Sequence, residues 1–272
     1  MNSPPEPCAE GRPPVITLTT DFGVGSPYIA AMRGVILSIN PGANIVDLTH
    51  SIPPQDIRQG AWALEQTSRW FPPGTIHVAV VDPGVGSQRR IVYAEIGEQR
   101  YVAPDNGLLG RLVVRASPIR IVAVQEPEHW LPHVSATFHG RDIMAPVAAR
   151  LSLGLDPERL GPAAGDLIQL PWKEALVLPG KIQGSVLSVD SFGNLITDIT
   201  EAMLAGAPRD ETVRIVCDEH ETQGIFRAYS DQPPSTLVAL VGSGGHLELA
   251  IVDDSAAAML GIGPGAPVVI TW

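Results

Sequence analysis

The chain has 272 residues, 44% of them hydrophobic, with 27 Gly and 26 Pro scattered without a collagen-like period. That length exceeds a usual single domain and predicts two. A net charge of −11 argues against a groove for nucleic-acid phosphates, and no apolar run approaches the roughly 18 residues that span a bilayer.

Taken in chain order, residues 1–14 are Pro-rich and read as a disordered tail. They lack the charged and apolar regions of an export signal, so a cytoplasmic location is expected. Cys8 in that tail and Cys217 in an apolar run form neither a disulfide framework nor a zinc-ligand spacing. From 15 to 161, strand-like runs (15–19, 44–48, 75–81, 91–96, 100–103 and 119–124) alternate with helical patterns at 28–39, 55–71 and 142–153. The helical pattern at 28–39 stops at Asn40-Pro41-Gly42, and the one at 55–71 at Pro72-Pro73-Gly74. Such alternation predicts an α/β domain with a mostly parallel sheet and helices on both faces. Residues 162–180 read as a linker. The remainder, 181–272, breaks into short runs (184–189, 194–199, 213–216, 224–228, 236–241, 246–252 and 267–270), which predicts a smaller all-β barrel or sandwich.

Chemistry is expected where strands end. Val80-Val81-Asp82-Pro83-Gly84-Val85-Gly86 runs an apolar strand into a rigid turn, and Arg89 follows Asp82 by seven residues. Asp82 and Arg89 either meet over a pocket at the sheet edge or form a solvated surface pair. Asp21, after the first strand, either holds a ribose diol or caps the next helix. Asp105 and Asn106 fit the start of a helix through residue 112. His139, at a helix entry, either faces a cleft or lies on the surface while Asp142 caps that helix.

In the second domain, Asp190, Phe192 and Asn194 place a carboxylate, an aromatic face and an amide within five positions, as an adenine site or as a plain turn. Gly242-Ser243-Gly244-Gly245 is a Gly-rich turn with backbone N–H groups able to take a carboxylate. The chain contains no GxxxxGK[ST], no GxGxxG after the first strand and no Ser nucleophile elbow.

Five segments in this order resemble the S-adenosylmethionine hydroxide adenosyltransferase family, relatives of the fluorinase and chlorinase. They are Thr20-Asp21-Phe22-Gly23, Val81-Asp82-Pro83-Gly84-Val85-Gly86, Ala103-Pro104-Asp105-Asn106-Gly107, Phe138-His139-Gly140-Arg141-Asp142 and Ser191-Phe192-Gly193-Asn194. The resemblance spans residues 15 to 272. It implies hydrolysis of S-adenosylmethionine to adenosine and methionine, a two-domain fold, and a homotrimer with active sites between subunits. It implies that Asp82, Arg89 and His139 position and activate water, and that Asp21 holds the ribose hydroxyls. Phe192 and Asn194 would line the adenine site, and Asp190 and Ser243 the methionine end.

The halogenating relatives carry Tyr at the positions matching Asp82 and His139, so this chain falls with the water-using branch. Ser26 and Gly242 depart from the family pattern at the methionine end. The expected chemistry has Asp82 and His139 accepting hydrogen bonds from the water and drawing off its proton, with Arg89 stabilising hydroxide character. S-adenosylmethionine is then the substrate, with no metal and no cofactor, and neither nucleic acid nor membrane is a partner. The rivals are a halide-using enzyme of the same fold, a metal-dependent hydrolase built on Asp21, Asp82, His139 and Asp142, and a non-catalytic binding protein.

Overall fold

The computed structural model describes residues 15–272; the expected tail and Cys8 lie outside the described residues. The chain divides into two compact units, the first ending at Leu170 and the second running from Pro171 to Trp272.

In chain order the first unit contains β1 (Val15–Thr20), α1 (Pro27–Ile39), β2 (Asn44–Thr49), α2 (Ile57–Thr67), β3 (Ile76–Val80), β4 (Ile91–Ile96), β5 (Gln99–Pro104), α3 (Gly110–Arg115), β6 (Pro118–Ala123) and α4 (Ala145–Ser152). The strands form one sheet in the order β2-β1-β3-β5-β4-β6, parallel except for β4, which runs against both of its neighbours. The central strand β3 is buried at all five positions, as a strand covered on both faces must be. Its Val78 and Val80 face a core shared with Met32 of α1 and Val147 of α4. Ala79 and the following Val81 face the opposite core, with Leu64 of α2 and Leu112 of α3. Helices therefore cover both faces, as the alternating pattern requires.

Local chemistry sets the helix starts. Ser26 caps α1 by accepting from the Tyr28 amide at 3.3 Å, and Pro27 opens the helix. Asp56 caps α2 through the Gln59 amide at 3.0 Å. The helix expected over 55–71 is shorter, because it gives way to a 3-10 turn at Ser68–Trp70. Residues 162–170 lie along the first unit: Pro162 O accepts from Ala123 N at 2.9 Å and Leu167 is buried.

The second unit contains β7 (Leu176–Leu178), β8 (Lys181–Val189), β9 (Leu195–Thr200), β10 (Arg214–Cys217), β11 (His220–Gln223), β12 (Leu237–Val241), β13 (His246–Ile251), α5 (Ala256–Leu260) and β14 (Pro267–Thr271). Its named strands pair antiparallel, in the order β11-β10-β14-β8-β9-β13-β12, with β7 beside β8. The two outer strands approach each other: the Thr222 hydroxyl on β11 donates to Leu237 O on β12 at 2.7 Å, which nearly closes a barrel. Ile182, Leu195, Ile215, Leu247 and Val268 fill it.

The strand expected at 224–228 is absent. Only Phe226 bridges, to Leu240, and the strand lies earlier, at β11, paired with β10 across a turn in which Asp218 has φ +52°. His220-Glu221-Thr222-Gln223 lacks an apolar pattern because an edge strand buries little. β7 falls within the segment read as a linker. Among the described residues, no helix is long and apolar enough to cross a membrane.

Candidate active site

Asp82 emerges two residues beyond β3, at the carboxyl edge of the sheet. Two tight turns, closed by Val85 N to Asp82 O (3.2 Å) and Ser87 N to Gly84 O (3.1 Å), double the chain back. Arg89 returns onto Asp82 with Nε 2.8 Å from both carboxylate oxygens, and Nη2 also bonds Oδ2. The side chains are 11% and 4% exposed, so this is a desolvated pair and not a solvated one. Gly86 in the turn has φ +79°, and a Cβ there would lie 2.4 Å from Ala136 O, so the loop needs glycine at this point. Asn106 steadies the same edge: its Nδ2 donates to Val81 O, one residue before Asp82, at 2.9 Å. Asp105 does not start a helix. Its buried carboxylate takes Arg90 Nη2 at 2.5 Å and the Ile168 amide at 2.8 Å.

His139 joins this pair, since Arg89 Nη2 lies 3.0 Å from its Nδ1. A guanidinium only donates, so Nδ1 is the acceptor and the neutral ring carries its proton on Nε2. Burial pushes the His139 pKa down, and the Arg89 charge adds to this against the opposing charges of Asp82 and Asp142. The imidazole is therefore neutral at pH 7. His139 precedes a π-helical turn, Gly140–Met144, that leads into α4, so the helix expected over 142–153 starts irregularly. Asp142, fully buried, does not cap it. Its carboxylate accepts from Arg141 Nε (2.5 Å) and from Ser135 N (2.8 Å), fastening the preceding loop.

Asp21 sits one residue beyond β1 and is not a helix cap either, since Ser26 fills that role. Asp21 Oδ2 accepts from the Gln55 amide at 2.8 Å, and Gln55 holds a left-handed φ of +66° to deliver it. The loop is pinned by Gly23 N to His50 O at 2.9 Å, and Thr20 Oγ1 lies 2.9 Å from His50 Nδ1. Phe22, Tyr28 and Phe138 pack edge-to-face, with Phe22 and Phe138 centroids 5.7 Å apart. The chain neighbours of Asp21 and His139 are thereby locked together. Beside Arg89 and His139 a cavity of about 280 Å³ opens, lined also by Gln125 and Trp130.

The second unit gathers its own set. Asp190, Phe192, Asn194 and Ser243 all line one cavity of about 910 Å³. Asp190 Oδ1 accepts from the amides of Phe192 (2.9 Å) and Asn194 (2.8 Å), and Oδ2 accepts from Asn194 Nδ2 (2.9 Å), an Asx-type turn that leaves Asn194 Oδ1 for a ligand. Phe192 stands 77% exposed on the rim. Tyr229 and Glu248 share this wall and escaped the sequence reading. Glu248 shares a face of β13 with His246 and Ala250, opposite the core residues Leu247 and Leu249, so strand periodicity carried the one available signal. Among the described residues, no group of three or more His, Cys, Asp or Glu is arranged to hold a metal ion.

Two family models match the chain, the SAM hydroxide adenosyltransferase N-terminal domain over residues 16–161 and the C-terminal domain over 184–269. A (R)-S-adenosyl-L-methionine hydrolase of Thermus thermophilus is 40% identical over 259 residues, covering 92% of this chain and 96% of the relative. One of Salinispora arenicola is 38% identical over 261 residues, 95% of this chain and 98% of the relative. Fluorinases match at 28% identity or less. A crystal structure of an uncharacterised conserved protein from Thermotoga maritima superposes with a TM-score of 0.90 at 34% identity, covering 95% of this chain and all of that one.

Proposed function

The chain belongs to the SAM hydroxide adenosyltransferase family, and on that footing we propose that it hydrolyses S-adenosyl-L-methionine to adenosine and L-methionine by in-line attack of water at C5′. The observation that carries this reading is the convergence at one sheet edge of the desolvated Asp82–Arg89 pair with the half-buried His139, with Arg89 and His139 lining a cavity.

A sulfonium leaves readily, because departure neutralises its positive charge, so the reaction needs neither acid catalysis at sulfur nor a metal or organic cofactor. It needs an oriented oxygen nucleophile. Alignment of that kind contributes up to roughly 7–11 kcal/mol in favourable cases. The oxygen–C5′ bond forms as the C5′–S bond breaks, sulfur keeps the electron pair as a thioether, and one proton of the water is released. His139 Nδ1 is occupied by Arg89, so the ring does not take that proton. Its Nε2–H holds the water oxygen, while the Asp82 carboxylate receives the proton and passes it to solvent. Arg89 fixes both partners and offsets charge on the attacking oxygen.

Asp21 is assigned to the ribose hydroxyls, Phe192 and Asn194 to adenine, and Asp190 and Ser243 to the methionine end. We also propose a cytoplasmic homotrimer with active sites at subunit interfaces; light scattering on purified protein tests the trimer. The functional test is chromatography of products from chelator-treated protein and S-adenosyl-L-methionine, with and without chloride or fluoride. Adenosine and methionine in equal amounts, independent of halide, are expected. A 5′-halo-nucleoside, loss of activity on chelation or intact bound ligand would overturn the reading.

A further inference from the structure

The second unit's cavity contains a carboxylate with an oxygen to offer. Glu248 lies on β13 between Leu240 of β12 and Ile196 of β9, and is 8% exposed. Its Oε2 is committed, accepting from the Tyr229 hydroxyl at 2.9 Å. Its Oε1 receives no hydrogen bond among the described residues. That oxygen lies directly over Gly242, where a Cβ would sit 1.6 Å from Oε1 and 2.1 Å from the carboxyl carbon. Any side chain at 242 would displace the carboxylate from the wall.

Asp190 differs, since both of its oxygens serve the 190–194 turn. Asp253 and Asp254 line the cavity from exposed positions. Burial pushes the Glu248 pKa up, and the Asp190 charge adds to this while the Tyr229 hydroxyl opposes it. A positively charged or N–H-bearing group entering the cavity relieves both the desolvation and the repulsion, whereas an anion aggravates them.

We propose that Glu248 is a specificity-determining residue, its Oε1 accepting a hydrogen bond from a nitrogen of the substrate, with Gly242 keeping that oxygen in the cavity. The inference rests on the S-adenosyl-L-methionine reading. That molecule offers two such nitrogens, the α-ammonium of the methionine portion and the exocyclic amine of adenine.

The test compares wild type with Glu248→Leu, which removes the acceptor that Gln would keep, and Gly242→Ala, measuring turnover and, by calorimetry, the Kd for S-adenosyl-L-methionine. Two further substrates separate the sources: one with hypoxanthine in place of adenine, and one lacking the α-amine. Each variant is expected to raise KM and Kd for S-adenosyl-L-methionine about 10- to 100-fold, the loss for one hydrogen bond to a charged group, with kcat within about threefold. For the analogue missing the recognised nitrogen, Glu248→Leu is expected to match wild type. Thermal midpoints check folding, and Tyr229→Phe, which loosens the carboxylate without removing it, is expected to give a smaller rise. Wild-type KM and Kd in Glu248→Leu, or an undiminished penalty on both analogues, would overturn the assignment. A wild type that binds but does not turn over the substrate overturns the hydrolase reading alone, because the Kd comparison still judges Glu248. Neither turnover nor binding overturns both.

Discussion

Arg89 donates a hydrogen bond from Nη2 to Nδ1 of His139 over 3.0 Å, which fixes the imidazole as an Nε2–H donor. His139→Gln retains an N–H near the Nε2 position, so it is predicted to keep at least a tenth of wild-type kcat, while His139→Ala falls roughly 100-fold or more. Equal losses in the two variants would mean that the ring acts as a base.

The pH profile follows from the same contact. The lowered His139 pKa keeps the ring neutral to a lower pH than a free imidazole. Protonation adds a proton to Nδ1 and sets two cations face to face. The acid limb of kcat in wild type is therefore predicted to have its midpoint below 6.5, measured by adenosine release across pH 4 to 9. A midpoint above that value contradicts the assigned ring state.

Asp82 carries the proton transfer in this account. Asp82→Asn is predicted to lower kcat by about 10²- to 10⁴-fold with little change in KM, measured by steady-state product release. Arg89→Lys is predicted to lose at least tenfold, because an ammonium cannot span both carboxylate oxygens and His139 at once. A drop under tenfold in Asp82→Asn would remove Asp82 from the chemistry.

Residues that touch no substrate should matter through this edge as well. Asn106→Ala frees the carbonyl of Val81, which precedes Asp82, and is predicted to lower kcat about tenfold at constant KM. Gly86→Ala forces a left-handed Ala against Ala136 O and is predicted to destabilise the protein by about 1–3 kcal/mol, read as a fall in thermal midpoint. A Gly86→Ala protein with unchanged midpoint would show that the turn relaxes freely.

Much of this arrangement was legible in the sequence. The alternation of apolar runs and capped helices indicated a covered, mostly parallel sheet, and that sheet brings the strand-end residues Asp82 and Asp21 to one edge. Asp82 and Arg89 were readable as a pair because a Gly/Pro turn separates them. Their link to His139 was readable only through the family resemblance, since the contact spans 50 residues and depends on how the π-helical turn at Gly140 sets against the sheet. Capping misled at three places. Asp21, Asp105 and Asp142 all look like helix caps, yet each accepts hydrogen bonds from a distant loop or arginine. The strand β11 escaped because its edge position permits a polar sequence.

A buried histidine predicts acid sensitivity. His77 on β3 is fully buried, 2.7 Å from Thr17 Oγ1 and stacked on Tyr101, and burial pushes its pKa down to about 4, with a Gln99 contact opposing. The unfolded chain takes that proton near 6.5 and the native state only near 4. This contribution to stability is therefore whole above about 6.5 and declines as pH falls, by about 3 kcal/mol at pH 4. Thermal midpoints of wild type and His77→Leu between pH 4 and 7 check this, the variant being predicted to show the flatter curve. Parallel curves would place the acid sensitivity elsewhere.

Running the reaction in ¹⁸O-enriched water, with mass spectrometry of the products, tests attack of water at C5′. One solvent oxygen is predicted in adenosine, at the 5′-hydroxyl, and none in methionine. Unlabelled adenosine, or label in a fragment cleaved on the methionine side of sulfur, would contradict attack of water at C5′.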